Sequence, residues 1–240
     1  SHTNAPPFSA HALAHGNFHE LTLTTLDVQA PFATARLSAP VTFSRDRPVA
    51  AESAELTIEA DLGKQAWVEA HGHVKGTVSV AAATAAARQT FSLDADGVQL
   101  PGVALRELHA RGVLHWPQLE LTSLRAQLDD ASSAEAHGPL DWQKRELIGA
   151  AAKAKLHPEW FARWLPAGLT WESAEITATA DGPLAALRSQ GSLDLTQARW
   201  GALQPMTLHA TWRGTGPRKQ ALSARVTAGH SALDFTGQLE

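Results

Sequence analysis

The chain of 240 residues has no cysteine and no tyrosine, and its lysines and arginines form no cluster. Without cysteine it can build neither a disulfide framework nor a thiolate metal site, which suits the periplasm and the cytosol equally. Its net charge of -4 offers no positive surface to nucleic acid or to an anionic membrane. We therefore set nucleic acid and anionic membrane surfaces aside as primary ligands.

The chain also lacks a long apolar run. No stretch approaches the roughly 20 residues that cross a bilayer as a helix, and residues 1–7 do not show the basic-then-apolar pattern of a signal peptide. Apolar residues still alternate at Leu239, next to the last residue. We therefore expect a soluble segment of a longer protein, whose open edge strand pairs with other copies.

Apolar and polar residues alternate along much of the chain, as they do in strands whose successive side chains point to opposite faces. The alternation is clear in residues 54–62, 74–82, 108–116, 124–128, 174–180, 206–212 and 222–228. Turn signals separate these runs at residues 96–97, 101–102, 137–139, 181–183, 214–217 and 228–231. The pattern predicts an all-β protein with a long curled antiparallel sheet, forming a U-shaped hydrophobic groove.

Residues 157–165 break the alternation. Pro158 suits a first helical position and Pro166 ends the segment, which predicts one short amphipathic helix. Its apolar residues, Trp160, Phe161, Trp164 and Leu165, either plug the groove or gate it. Residues 145–156 alternate but are rich in alanine, and we favour a strand over a helix there.

Domain boundaries are faint in the sequence. We expect a single continuous segment over residues 1–240, with a possible subdivision into 1–130 and 131–240 at the polar loop 129–133. A weak internal echo links residues 134–140 with 231–239, since both end a strand in Gly-x-Leu.

Four stretches together carry a family resemblance. They are residues 137–142 (His-Gly-Pro-Leu-Asp-Trp), 156–166 (a short helix ending in Leu-Pro), 181–195 (Asp-Gly-Pro-Leu followed by Gly-Ser-Leu-Asp-Leu) and 226–239 (a strand, a turn and a strand). In this order they resemble the AsmA-like/TamB family.

The resemblance implies a periplasmic segment of a bacterial envelope protein, with an inner-membrane anchor upstream and a β-taco sheet. Family members are implicated in moving phospholipid between the two membranes, and in outer-membrane assembly with an Omp85-type barrel partner. We therefore expect phospholipid, or another acyl-chain ligand, as the partner of this chain.

Geometry favours the same ligand. A strand of ~9 residues at ~3.3 Å per residue spans ~30 Å, enough to curve around acyl chains. The interior would consist mostly of Ala, Leu and Val, so a collapsed core would be thin. The residues expected to line the groove are Leu56, Ile58, Val78, Val80, Leu114, Ile176, Leu193, Leu195, Leu208, Val226 and Phe235.

Catalytic and metal-binding patterns are weak. His11, His15 and His19, and His71 with His73, have the spacing of strand metal ligands but no obvious partner to complete a site, so we expect exposed polar histidines and no metal. Residues 94–97 begin like a calcium loop without its later ligands, and favour a β-turn. We expect no cofactor and no enzymatic activity.

Two alternatives stay open. Eight tryptophans are compatible with a sugar-binding platform, although they also suit the rim of a sheet. The main rival to the lipid conduit is a structural β-solenoid with a dry core, which would bind a protein partner in outer-membrane assembly or secretion.

Overall fold

The computed structural model describes residues 8–17, 19–44, 47–65, 69–82, 89–101, 103–115, 118–161, 167–216 and 219–239. The chain is 77% strand and 4% helix, and every ladder with a described register is antiparallel. This confirms the predicted fold class. The chain divides into two compact units, unit 1 (Ser1–Thr122) and unit 2 (Ser123–Glu240).

Unit 1 is built from strands that pair antiparallel. They are β1 (Ser9–Gly16), β2 (Glu20–Ala30), β3 (Ala33–Leu37), β4 (Val41–Ser44), β5 (Arg47–Val49), β6 (Ala54–Asp61), β7 (His71–Val80), β8 (Gln89–Leu100) and β9 (Val103–His115). A 3₁₀ turn at Leu62–Lys64 follows β6. Strand β10 (Gln118–Gln127) contains the boundary between the units.

Unit 2 repeats this plan with fewer, longer strands. They are β11 (Ser133–Asp141), β12 (Glu146–Leu156), β13 (Leu169–Thr170), β14 (Ser173–Pro183), β15 (Arg188–Trp200), β16 (Met206–Thr215), β17 (Lys219–Ala228) and β18 (Ser231–Leu239). Helix α1 (Pro158–Phe161) follows β12, and a 3₁₀ turn at Leu184–Ala186 follows β14. No helix among the described residues is long and apolar enough to cross a bilayer.

The register of the ladders follows from the alternation. Leu56 lies opposite Val78, and Val78 lies opposite Phe91, so apolar side chains share one face across three strands. A slip by one residue would move every one of these side chains to the other face. The ambiguous stretch 145–156 becomes strand β12, as predicted, because it pairs with both β11 and β14.

Two glycines that were predicted to lie in turns lie within strands. Residues 94–97 form no turn between strands, because β8 continues to Leu100 and Gly97 takes a φ of +59° beside a register shift of β7. Gly138 lies within β11, at a register break with φ +142°. Both glycines lie at β-bulges, where a positive φ is needed just as it is in a turn.

Little of the apolar surface is fully buried. Most of the buried hydrophobic residues are alanines, and the larger ones are Val41, Val80 and Leu156. In unit 1, Val41 and Val80 pack with Ala50 and Ala54 in one small cluster.

A polar turn closes the start of unit 2. The amides of Ala131 and Ser132 donate to Oδ1 of Asp129, at 2.8 and 2.5 Å, and the amide of His157 donates to the buried hydroxyl of Ser132 at 2.9 Å. Desolvation raises the pKa of Asp129, but the two amide hydrogen bonds, the hydroxyl of Ser132 and the nearby His157 together outweigh it and hold the pKa below its usual value. The turn thereby joins the end of β12 to the loop before β11.

Candidate functional site

Each unit has one apolar face and one polar face. In unit 1 the apolar face is built from rows of residues that lie directly opposite one another in successive ladders. One row is Leu37, Leu56, Val78, Phe91 and Gly112, and the next is Ala35, Ile58, Gly76, Leu93 and Ala110. Ile58 and Val78 keep 45% and 36% of their surface exposed.

The apolar face of unit 2 has three such rows. The first is Leu156, Ala174, Leu195, Leu208, Val226 and Leu233; the second is Ala154, Ile176, Leu193, Ala210, Ala224 and Phe235; the third is Ala152, Ala178, Gly191, Trp212, Leu222 and Gly237. Leu222, Leu233 and Phe235 are 40%, 57% and 51% exposed. This face becomes progressively more open toward β18.

The predicted groove residues fall into these rows. Within unit 1 the structure brings Leu56 beside Val78, places Ile58 in the next row, and aligns Val80 with Leu114 on either side of Gln89. Within unit 2, three ladders bring the predicted residues together in two rows. They are Leu195 with Leu208 and Val226, and Ile176 with Leu193, the latter row ending at Phe235.

Val80 differs from the other predicted residues. Only 6% of it is exposed, because it packs with Val41, Ala50 and Ala54. Strand β4 pairs with the first half of β2, and Ala50 bridges to Ala82, so this segment lies beside the end of β7. Val80 therefore belongs to a packed cluster and is not available to a ligand.

The predicted plug or gate lies largely outside the described residues. Helix α1 begins at Pro158, as predicted, and is described as far as Phe161. Trp164 and Leu165 fall outside the described residues, and only the backbone of Trp160 and Phe161 is described. The plug and the gate therefore both stay predictions.

The polar faces carry paired hydroxyl groups. Thr77 and Ser92 share a hydrogen bond of 2.6 Å in unit 1, and Thr177 and Ser192 share one of 2.9 Å in unit 2. In unit 2 the row continues through further hydroxyl residues at 211, 223 and 236.

Pairs of ionisable residues form a second polar row in each unit. Nδ1 of His109 lies 2.7 Å from Oδ1 of Asp94, and Nδ1 of His209 lies 2.5 Å from Oδ1 of Asp194. Lys75 pairs with Glu59 at 2.8 Å, and its hydrogen bond and positive charge lower the pKa of that carboxyl. These exposed pairs align strands without contributing much stability.

A second charged pair joins the last two strands of unit 2. Arg225 donates to both carboxylate oxygens of Asp234, at 2.7 and 3.1 Å, and thereby lowers the pKa of Asp234. The bidentate geometry fixes β18 against β17 from the polar side.

Each unit has a hollow over its sheet. The hollow in unit 2, about 1000 Å³, is lined by residues 151–152 of β12 and by triplets on β14–β18, such as 177–179 and 211–213, which include residues of both faces. A hollow of about 390 Å³ in unit 1 is lined mainly by polar residues between Asp27 and Glu59.

The histidines that the structure describes are spread over several strands and loops. Among the residues that the structure describes, no three histidine, aspartate or glutamate side chains come together to hold an ion. His11 and His15 lie on β1, whose register shifts between them, and His15 Nδ1 is 3.3 Å from the hydroxyl of Thr24.

The sequence contains an internal repeat that the alternation alone does not reveal. Ser-Leu-Asp occurs at 92–94 and again at 192–194, and Leu-His-Ala occurs at 108–110 and again at 208–210, each 100 residues apart. These residues occupy equivalent ladders, β8 with β9 in unit 1 and β15 with β16 in unit 2. A comparison of the chain with itself at a shift of 100 residues would have revealed the repeat.

These features define the class: an all-β antiparallel protein whose two units share a repeated ladder, each unit with one apolar and one polar face. No family model, curated protein or solved structure matches the chain. The resemblance to the AsmA-like/TamB family therefore stays a prediction.

Proposed function

We propose that the chain binds acyl chains along the apolar faces of its two units. In this proposal it is a periplasmic segment, similar to AsmA-like/TamB proteins, that conducts phospholipid between the inner and outer membranes. The upstream anchor and the Omp85-type partner belong to the same proposal and lie outside this sequence.

One observation carries the proposal. Apolar residues, from alanine and glycine to leucine, phenylalanine and tryptophan, form rows across the strands on one face of each unit, and several of the large ones, among them Ile58, Leu222 and Phe235, stay substantially exposed. A surface of this kind is costly in water, and contiguous exposed apolar patches mark sites for apolar ligands, protein partners or membranes. A row of aliphatic side chains running across several strands matches the length and chemistry of a hydrocarbon chain.

The polar face differs from the apolar face in that its side chains pair with one another, and this difference supports the proposal. Hydroxyl and charged pairs satisfy one another there, so that face is stable in water without a ligand. Amphiphilic ligands would then keep their headgroups in water beyond the apolar rows. No chemical step by the chain is required.

The rival, a scaffold with a dry core, is favoured by one feature. In unit 1 the cluster of Val41, Ala50, Ala54 and Val80 is packed without a ligand. If similar packing covered the whole apolar face, its exposed side chains would be the contact surface of a protein partner.

Site-specific photo-crosslinking tests the proposal. A photoreactive amino acid at Leu222 or Val78 should crosslink phospholipid when the protein is produced in a diderm bacterium. The same group at Ser223 or Ser79, the next residue on the opposite face, should not. Mass spectrometry of the crosslinked species provides the measurement.

The results separate the two functions. Lipid adducts restricted to Leu222 and Val78 would support conduction of acyl chains. Adducts of equal yield on both faces, or no lipid adducts, would overturn the proposal, and protein adducts alone at the apolar positions would favour the scaffold.

A charge on the apolar face provides a cellular test. In the full-length protein Leu208→Asp should impair outer-membrane integrity, because a carboxylate on the apolar row cannot be solvated by hydrocarbon. Thr207→Asp, on the polar face, is the matched control and should be silent. Equal tolerance of both variants, at equal protein levels, would contradict a lipid path over Leu208.

A further inference from the structure

The repeated ladders place one aromatic ring and one glycine at the same pair of positions in each unit. In unit 1 Phe91 of β8 lies directly opposite Gly112 of β9. In unit 2 the residues 100 positions later are Gly191 of β15 and Trp212 of β16, again directly opposite. The ring and the glycine have therefore exchanged strands.

In both units the ring lies over the glycine. A Cβ atom added to Gly191 would overlap the indole of Trp212, with Cη2 at 2.5 Å, and one added to Gly112 would overlap the phenyl ring of Phe91, with Cζ at 2.6 Å. Each ring thus extends across the neighbouring strand of its sheet, in the space that a side chain would otherwise fill. Only one bulky group fits in this pair of positions.

The position of the ring matters for a ligand on the apolar face. Its neighbours in the row are aliphatic or small: Leu56 and Val78 beside Phe91, and Ala178 and Leu222 beside Trp212. A ring that stood upright from the sheet would interrupt the row. A ring lying across a glycine fills the space above the glycine and keeps the apolar row continuous.

We propose that this ring is a ligand-contact platform that determines the depth of the apolar face in each unit. The inference rests on the proposed function and names the ligand class more closely: straight, unbranched hydrocarbon chains, which can lie flat across Trp212 and Phe91. Methyl-branched chains are held away from the surface by the ring. Trp212 and Phe91 are then the residues that determine chain selectivity.

Binding of two fatty acids to the intact chain tests the platform. The probes are a straight 16-carbon acid and a 16-carbon acid with several methyl branches, each titrated by calorimetry. The wild-type protein should prefer the straight acid. Trp212→Ala should weaken binding of the straight acid and strengthen binding of the branched acid. The ratio of the two affinities should change by at least about threefold, since one methyl group changes affinity by about tenfold or more in a closed pocket.

Control variants separate the platform from general packing. Trp212→Phe keeps a ring over Gly191 and should keep the wild-type ratio, whereas Phe91→Ala should act like Trp212→Ala. Trp200→Ala removes a tryptophan that is 54% exposed at the end of β15, and should leave both affinities unchanged. If Trp212→Ala does not fold, Trp212→Leu keeps apolar volume without a ring and should shift the ratio in the same direction.

The outcomes distinguish the two proposals. If the wild-type protein binds neither acid, the acyl-chain function fails and the platform fails with it. If the wild-type protein binds the straight acid, but neither Trp212→Ala nor Trp212→Leu changes the ratio, the platform is wrong while acyl-chain binding stands.

Discussion

The two units share a ladder but differ in how much of the apolar face is covered. Unit 1 covers the end of its face with residues of β4 and the following segment, which bury Val80 to 6% exposure. Unit 2 leaves Leu233 and Phe235 on β18 more than half exposed. The hydroxyl and His–Asp pairs of the polar face are the same in both. The polar faces therefore match between the two units, whereas the apolar faces differ in how far they are packed.

The covered and open ends should respond very differently to charge. We expect Val80→Asp to destabilise the protein by more than about 3 kcal/mol, the scale of an unpaired buried charge. Leu233→Asp, at 57% exposure, should change stability by no more than about 0.5 kcal/mol. Urea unfolding followed by circular dichroism measures both, with Val80→Ala as a control for lost volume. Similar losses for the two aspartates would show that the apolar faces are equally covered.

Glycines on the apolar faces should divide into two groups by how much a Gly→Ala substitution destabilises the protein. Gly112→Ala and Gly191→Ala should each cost about 1–3 kcal/mol, the usual cost of overpacking, because the new methyl group meets both a ring and a carbonyl oxygen of the next strand.

The matched controls are Gly76→Ala and Gly237→Ala. The first would meet Leu93 at an ordinary 3.8 Å and the second meets nothing within 4 Å, so both should be neutral or slightly stabilising. Thermal unfolding of the four variants provides the comparison. If all four behave alike, the ring–glycine contact has no special role in either unit.

The smallest expected effect concerns acid titration of the polar faces. The pKa of Glu59 in unit 1 and of Asp234 in unit 2 should both lie below their usual values of 4.5 and 3.8, because Lys75 and Arg225 stabilise the carboxylates. Each pair then contributes stability above the unfolded pKa, and loses it as the pH falls through the lower folded pKa.

Carbon NMR of the two carboxyl groups measures these values. Lys75→Met and Arg225→Met should return Glu59 and Asp234, respectively, to their usual pKa, and salt should weaken both shifts. Unchanged pKa values in these variants would show that the pairs do not persist in solution.

Much of the fold could be predicted because register follows from alternation. Where apolar residues recur at every second position, as in 206–212, only one pairing buries them on a common face. Pro158 likewise marks the start of α1. Gly97 and Gly138 were misinterpreted because a bulge and a turn both need a positive φ, and only the neighbouring strand decides between them.

The rows of the candidate site could be predicted for the same reason. The prediction was wrong about the accessibility of Val80 for a different reason. Rows such as Leu195, Leu208 and Val226 follow from alternation in three separate strands. The burial of Val80 depends on residues 41–54, about 30 residues earlier, and on the choice of β2 as the partner of β4. No local pattern in β7 indicates this long-range contact.

The exchange of ring and glycine also constrains how the two units have diverged. If one ladder descends from the other, the change from Phe91 with Gly112 to Gly191 with Trp212 needs two substitutions. If the glycine is replaced first, two rings must share a space that holds one ring. If the ring is replaced first, the intermediate has two glycines and an empty space. The empty site costs packing but avoids overpacking, so we infer that such a change would pass through Gly–Gly.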